Sequence, residues 1–206
     1  MNELLPLIET AGYIGIFAIV FAESGLLIGV IFPGDTLIFA AGLLSSKGYF
    51  NIELMLTVIF IAAVTGDGVG YWIGKKFGPR IFKREDSFLF KKEYVTRAQH
   101  FFEKHGKKTI VLARYIPIVR TFAPVLAGVG NMNYRTFLTY NIVGGLLWTL
   151  SLGLAGYFLG ERVDNIDKYV LPIVIGIVVL SFAPVIKHYV EYRILKKKNE
   201  TLTPLP

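Results

Sequence analysis

Four ionisable side chains interrupt stretches that are otherwise apolar: Glu23, Asp35, Arg114 and Arg120. A charge at the centre of a membrane-buried helix costs about 2.5–3.5 kcal/mol, so four isolated ones would cost on the order of 10 kcal/mol. Such groups must pair with one another, meet water or bind a ligand. Arginine stays charged and makes bidentate bonds to phosphate. A carboxylate that desolvation pushes toward its neutral form, and a nearby arginine toward its charged form, is suited to carry a proton. Arg114, Arg120, Glu23 and Asp35 are therefore candidates for binding a polar, anionic headgroup, and Glu23 and Asp35 for proton coupling. The simplest arrangement sets both carboxylates opposite both guanidiniums. The alternative is two ion pairs that only lock the chain together.

Asp67 is a fifth candidate, in the glycine-dense run Gly66-Asp67-Gly68-Val69-Gly70. Its residue types fit a helix-packing patch, with the aspartate reaching a backbone donor, as well as they fit a substrate role. Gly66, Gly70 and Gly74 recur on one face of a helix, where missing side chains let backbones approach closely. Other chemistry is poorly supplied. The chain has no cysteine and three histidines. His100 and His105 are five apart, the wrong spacing for ligands on one helical face, and no P-loop, nucleophile elbow or zincin motif occurs. No metal, no cofactor and no enzymatic activity are expected.

The elements that must position these charges are apolar segments. Of the 206 residues 53% are hydrophobic and 18% charged, with a mean hydropathy of +0.54, more apolar than a soluble domain of this length. A spanning helix needs about 20 residues. Segments 52–74, 134–160 and 169–186 are long enough, and so is 13–32, whereas 36–44 is too short. Segment 109–128 is broken by Pro117 and Pro124.

Charge sets the orientation. Residues 75–108 hold eleven Lys/Arg against four Asp/Glu, and the tail adds Lys187, Arg193, Lys196, Lys197 and Lys198. Loops this basic stay in the cytoplasm, and the net charge of +7 thereby points to the membrane rather than to nucleic acid. Phenylalanines among the loop's basic residues suit either an interfacial helix on anionic lipid or a solvated loop. The N-terminus and residues 161–168 are acidic or balanced and belong outside.

With these sides assigned, 109–128 begins and ends inside, and 13–44 begins and ends outside. Neither is a simple crossing; both read as re-entrant hairpins, broken at Pro33-Gly34 and at Pro117. The expected fold is an all-α polytopic membrane protein: an inverted repeat of re-entrant hairpin plus transmembrane helix, with an additional C-terminal transmembrane helix. Repeat one covers 12–74, the cytoplasmic basic loop 75–108, repeat two 109–160 and the last span 169–188. All lie within a single membrane domain, 1–190, followed by a cytoplasmic tail, 191–206. Ala41-Gly42 and Gly70-Tyr71-Trp72-Ile73-Gly74 are matched 86 residues later by Ala127-Gly128 and Gly156-Tyr157-Phe158-Leu159-Gly160. Such repeats, with broken segments, are how many secondary transporters build a midplane site.

The ordered set Glu23, Phe32-Pro33-Gly34-Asp35, Gly66-Asp67-x-x-Gly70-Tyr71-x-x-Gly74 and Arg114-Tyr115-x-Pro117-x-x-Arg120-Thr121 resembles the DedA family of bacterial membrane proteins. Those proteins share the VTT (SNARE-associated) domain, and the resemblance runs from about residue 10 to 190. It implies a lipid transporter of the flippase or scramblase type in the bacterial plasma membrane. The cargo would be undecaprenyl phosphate returning to the cytoplasmic face, or phosphatidylethanolamine or another phospholipid, and dependence on the proton gradient is implied as well. The family's acidic and arginine positions fall on Glu23, Asp35, Arg114 and Arg120. The rival classes are a proton-coupled small-solute transporter and a non-transporting membrane organiser. The expected partners are membrane lipids and, as an open alternative, further copies of the same chain.

Overall fold

A computed structural model describes residues 4–25, 34–81 and 108–162. Pro33, most of the basic loop, the expected span 169–188 and the tail 191–206 lie outside the described residues. Every described element is a helix: α1 (Leu4–Gly25), α2 (Gly34–Ser46), α3 (Ile52–Ile81), α4 (Thr109–Ala113), α5 (Pro117–Val129) and α6 (Tyr134–Arg162).

Local chemistry explains where these helices stop. After α2, Gly48 takes a left-handed conformation (φ 79°), and Tyr49 N–H returns to the Leu44 carbonyl at 3.2 Å, closing the helix as a C-terminal glycine does. Asn51 then caps α3, its Oδ1 accepting from Leu54 N–H at 2.9 Å. The end of α5 repeats the device. Asn131 has φ 53°, tolerable because asparagine enters this region more readily than other side chains. Met132 N–H bonds the Ala127 carbonyl at 3.0 Å, and Asn133 accepts from Arg135 N–H at 3.0 Å at the start of α6.

Two expectations need correction. Only Pro117 breaks the second apolar segment: it forces Ile116 into an extended conformation (φ −115°, ψ 106°) and opens α5, where its missing amide is no loss. Pro124 lies inside α5, accommodated against Gly70, where a Cβ would come within 3.4 Å of the proline ring. The part of the expected segment 13–32 that follows Gly25 lies outside the described residues. Helix α3 runs to Ile81, past the expected boundary at Gly74, and Lys76 there lays its ammonium over Trp72 at 4.6 Å and Phe77 at 5.6 Å.

The helices form two hairpins set against two long rods. Helix α1 runs along α3: Asn51 N–H donates to Tyr13 Oη at 2.9 Å at one end, and Gly25 meets the Gly66 backbone at the other. Helix α2 returns, since Gly34 lies against Glu23 and the Phe50 ring, just beyond α2, meets Tyr13 at 5.3 Å. The end of α1 and the start of α2 thus lie level with Gly66, the middle of α3. The second hairpin, α4–α5, turns beside Gly144 and Gly145, the middle of α6.

Each hairpin packs its second arm on the other hairpin's rod, α2 on α6 and α5 on α3. Glycines bring the backbones together. Gly74 meets Val125, Gly78 meets Val129 and Gly128 meets Tyr71; correspondingly, Gly156 meets Phe39, Gly160 meets Leu43 and Gly42 meets Gly153. These contacts relate α2 to α5 by 86 residues but α3 to α6 by 82, one helical turn from the uniform offset read in the sequence. Glycines at every fourth position make such a one-turn shift invisible to sequence comparison.

Helix α6 buries Phe137 and Trp148 together with Asn141, Gly144, Gly145, Thr149, Gly153, Gly156 and Gly160, while Ile142, Val143, Leu146, Leu147, Phe158 and Leu159 face outward. Small residues where helices meet and large apolar ones on the outer face fit helices solvated by lipid. Both α3 and α6 are long and apolar enough to cross a bilayer.

Candidate functional site

The two hairpin turns and the middles of both rods converge, and the charged side chains meet there. Glu23 sits in the last turn of α1 and Asp35 in the first turn of α2, where the N-terminal helix dipole favours a carboxylate. Gly34 lets α2 begin directly against Glu23, because a Cβ there would overlap the carboxylate. Arg120, in the first turn of α5, reaches across from the other hairpin. One of its terminal nitrogens donates to Glu23 and the other to Asp35. Glu23 is 3% exposed, Arg120 12% and Asp35 38%.

Arg114 makes a separate centre in the turn between α4 and α5. It donates to Asp67 of α3 and to the Asn141 amide oxygen of α6, while Asn141 donates to the Val64 carbonyl at 3.0 Å. This one guanidinium ties the second hairpin to both rods. Gly144 and Gly145 leave the room it occupies: a Cβ at Gly144 would lie 3.1 Å from Arg114 Cδ, and one at Gly145 3.5 Å from its terminal nitrogen. Arg114 Nε and Thr149 Oγ1 are buried without a hydrogen-bond partner among the described residues.

Trp148 joins the two centres. Its ring lies 5.0 Å from the Arg120 guanidinium carbon and 5.8 Å from that of Arg114, and its indole N–H donates to Asp35 Oδ1 at 2.9 Å. Counted formally, three carboxylates face two guanidiniums, so the cluster carries one net negative charge. Among the described residues no three His, Cys, Asp or Glu side chains are arranged to hold a metal ion. The arrangement can hold an oxyanion on its arginines, a cation on its carboxylates, or a proton on a carboxylate.

Glu23, Asp35, Arg114 and Arg120, singled out from sequence, do come together, but not as two carboxylates facing two arginines. Arg120 takes both carboxylates of the first hairpin, and Arg114 takes Asp67, whose role the sequence left open. Gly66 lies against the Phe21 carbonyl of α1, Gly70 and Gly74 against α5, and Tyr71 Oη donates to the Met132 carbonyl. Sequence reasoning missed Asn141 and Trp148. The available signals were an amide within an apolar span and a tryptophan at a span's centre, when tryptophan usually sits at the membrane interface.

The VTT domain family model matches residues 32–158. The chain is 44% identical over 174 residues to Protein DedA of Escherichia coli (strain K12), covering 84% of this chain and 79% of that protein. It is 47% identical over 172 residues to an uncharacterized membrane protein of Mycobacterium tuberculosis (strain ATCC 25618 / H37Rv), covering 82% and 75%. It is 35% identical over 149 residues to Inner membrane protein YqjA of Escherichia coli (strain K12), covering 72% and 68%. No solved structure matches the chain.

Proposed function

The chain belongs to the VTT-domain, or DedA, family of membrane proteins, and from that premise we propose that it translocates a phosphate-headgroup lipid across the plasma membrane. The observation that carries this reading is Arg120: a nearly buried guanidinium, presented where two hairpin turns meet at the middle of two membrane-length helices, on a side reached through the half-exposed Asp35. A headgroup would be held there while its hydrocarbon tail remained in the bilayer. In this reading the hairpins are re-entrant from opposite faces, and α1–α3 and α4–α6 are inverted repeats. The paired glycine contacts of α2 on α6 and α5 on α3 support it, because an inverted repeat generates contacts in such twos. The basic loop and the C-terminus are assigned to the cytoplasm by their charge.

The first substrate is undecaprenyl phosphate, recycled to the cytoplasmic face, with the phosphate monoester drawn to Arg120 and backed by Arg114. A cluster that already carries a net negative charge accepts such an anion most readily with a proton, and Glu23 and Asp35 are the groups to take it. A second reading, phosphatidylethanolamine, is favoured by the same excess of carboxylates: the ammonium of a zwitterionic headgroup would meet the third acid. Nothing in the cluster requires an enzymatic step, a cofactor or a metal.

The test is headgroup translocation in proteoliposomes, with undecaprenyl phosphate and phosphatidylethanolamine compared for the wild type and Arg120→Ala. Movement of one lipid that is lost in Arg120→Ala supports the reading and names the cargo. Folded wild type that moves neither lipid, with or without a proton gradient, overturns it.

A further inference from the structure

Asp35 differs from the rest of the cluster. Glu23, Asp67, Arg114 and Trp148 are buried, and Arg120 is nearly so, but more than a third of the Asp35 side chain is exposed. Its Oδ1 receives two donors from different elements, Arg120 of α5 and the indole N–H of Trp148 on α6. The indole is a fixed donor. Its ring is wedged into the core formed by Val20, Ile38, Met55 and Ile59 and lies beside both guanidiniums, so the N–H cannot turn to another acceptor. Two fixed donors converging on one oxygen make a seat for an oxyanion, and a carboxylate oxygen is only one of the oxyanions that would fit.

We propose that Trp148 and Arg120 together form the seat for the lipid phosphate, and that Asp35 fills this seat as an internal substitute when no lipid is bound. The proposal rests on the lipid-transport reading and adds to it a binding residue and a competition. When a headgroup arrives, a phosphate oxygen takes the place of Asp35 Oδ1, and the Asp35 side chain leaves on its exposed side. Glu23 stays on the other nitrogen of Arg120 and keeps the guanidinium aimed. Because the indole nitrogen only donates and Arg120 is cationic, the seat favours an anionic acceptor over a neutral hydroxyl oxygen and rejects an ammonium, which has no acceptor. A carboxylate already in the seat also keeps it from standing empty and charged within the bilayer.

The chain has two tryptophans, and the other, Trp72, is exposed on the outer face of α3. A Trp72→Phe protein therefore reports on the seat through Trp148 fluorescence alone. Titrated in nanodiscs, it is expected to respond to geranyl phosphate and more weakly to inorganic phosphate, but not to geraniol. Asp35→Ala in this background should bind geranyl phosphate about tenfold more tightly, because the competitor is gone. Trp148→Phe, followed by calorimetry, should bind about tenfold more weakly, the loss of one hydrogen bond to a charged acceptor. Asp35→Ala binding more weakly than its parent, or folded Trp148→Phe binding as tightly as wild type, would overturn the seat. A response to inorganic phosphate equal to that for geranyl phosphate would overturn the lipid as its source. The two readings fail separately. Unchanged binding and translocation in Trp148→Phe removes the seat and leaves the transporter. A wild type that moves no lipid, although Trp148 responds to geranyl phosphate, removes the transporter and leaves the seat.

Discussion

Arg114 and Asp67 form a sealed ion pair, 5% and 8% exposed, that fastens the turn of the second hairpin to the middle of α3. Arg120, by contrast, shares its charge with a carboxylate that remains accessible. The two arginines, alike in sequence, therefore have different surroundings. Removing one partner of a buried pair costs about 3–5 kcal/mol, whereas replacing both with apolar groups is often neutral. Arg114→Met should lower the unfolding temperature in detergent sharply, and the double variant Arg114→Met with Asp67→Leu should recover most of it. An Arg114→Met protein as stable as wild type would show that the pair does not hold the fold.

The formal charge of the cluster gives a pH dependence with a definite sign. Protonating one carboxylate removes its net negative charge, so phosphate affinity should rise as pH falls and weaken as pH rises. Glu23→Gln makes one acid permanently neutral and should flatten this dependence, with binding at high pH as tight as the wild type reaches at low pH. The phosphate titrates as well, with a second pKa near ~6, but identically for both proteins, so the difference between their profiles isolates Glu23. Parallel profiles would rule out Glu23 as the proton carrier.

The glycines divide into those that touch a backbone and those that do not. A side chain at Gly42 would enter the Gly153 carbonyl and one at Gly128 the Tyr71 carbonyl, whereas Gly15 has open space around it. Gly42→Val and Gly128→Val should each destabilise by about 1–3 kcal/mol or prevent assembly. Gly15→Ala should be neutral or stabilising by about 0.5–1 kcal/mol, as expected for a helix interior. Thermal unfolding of the purified proteins reads all three, and equal behaviour of Gly15→Ala and Gly128→Val would contradict the packing.

The absence of cysteine makes the proposed sidedness directly testable. Lys47 lies in the connector before α3, and Arg135 opens α6 beside the far end of α3. Their ends of the rod are about 30 Å apart at 1.5 Å per residue. In intact cells a membrane-impermeant maleimide should label Lys47→Cys, and should reach Arg135→Cys only after the membrane is opened. Labelling of both in intact cells would exclude hairpins that enter from opposite faces.

Glu23, Asp35, Arg114 and Arg120 were legible in the sequence because a charge inside an apolar segment is expensive wherever it sits, so its mere presence signals a partner. The break at Pro117 was legible for a similarly local reason: proline restricts its own backbone and that of Ile116. Pro124 was misread because α5 continues through it, and the partner its ring packs on, Gly70, lies 54 residues away in the chain. Asp67 stayed ambiguous from sequence, since an aspartate among glycines looks the same whether it meets a backbone amide or Arg114.

The sequence by itself determined the solvent, the break at Pro117 and the set of charges, because hydropathy, proline geometry and the expense of an apolar-buried charge act within a single stretch of chain. Only the tertiary structure decided which charges meet, that Asn141 and Trp148 join them, and that the glycine contacts on α3 and α6 are offset by 82 rather than 86 residues. Those outcomes depend on contacts between helices that are far apart in the chain, and glycines repeating at every turn allow more than one register until the packed backbones choose it.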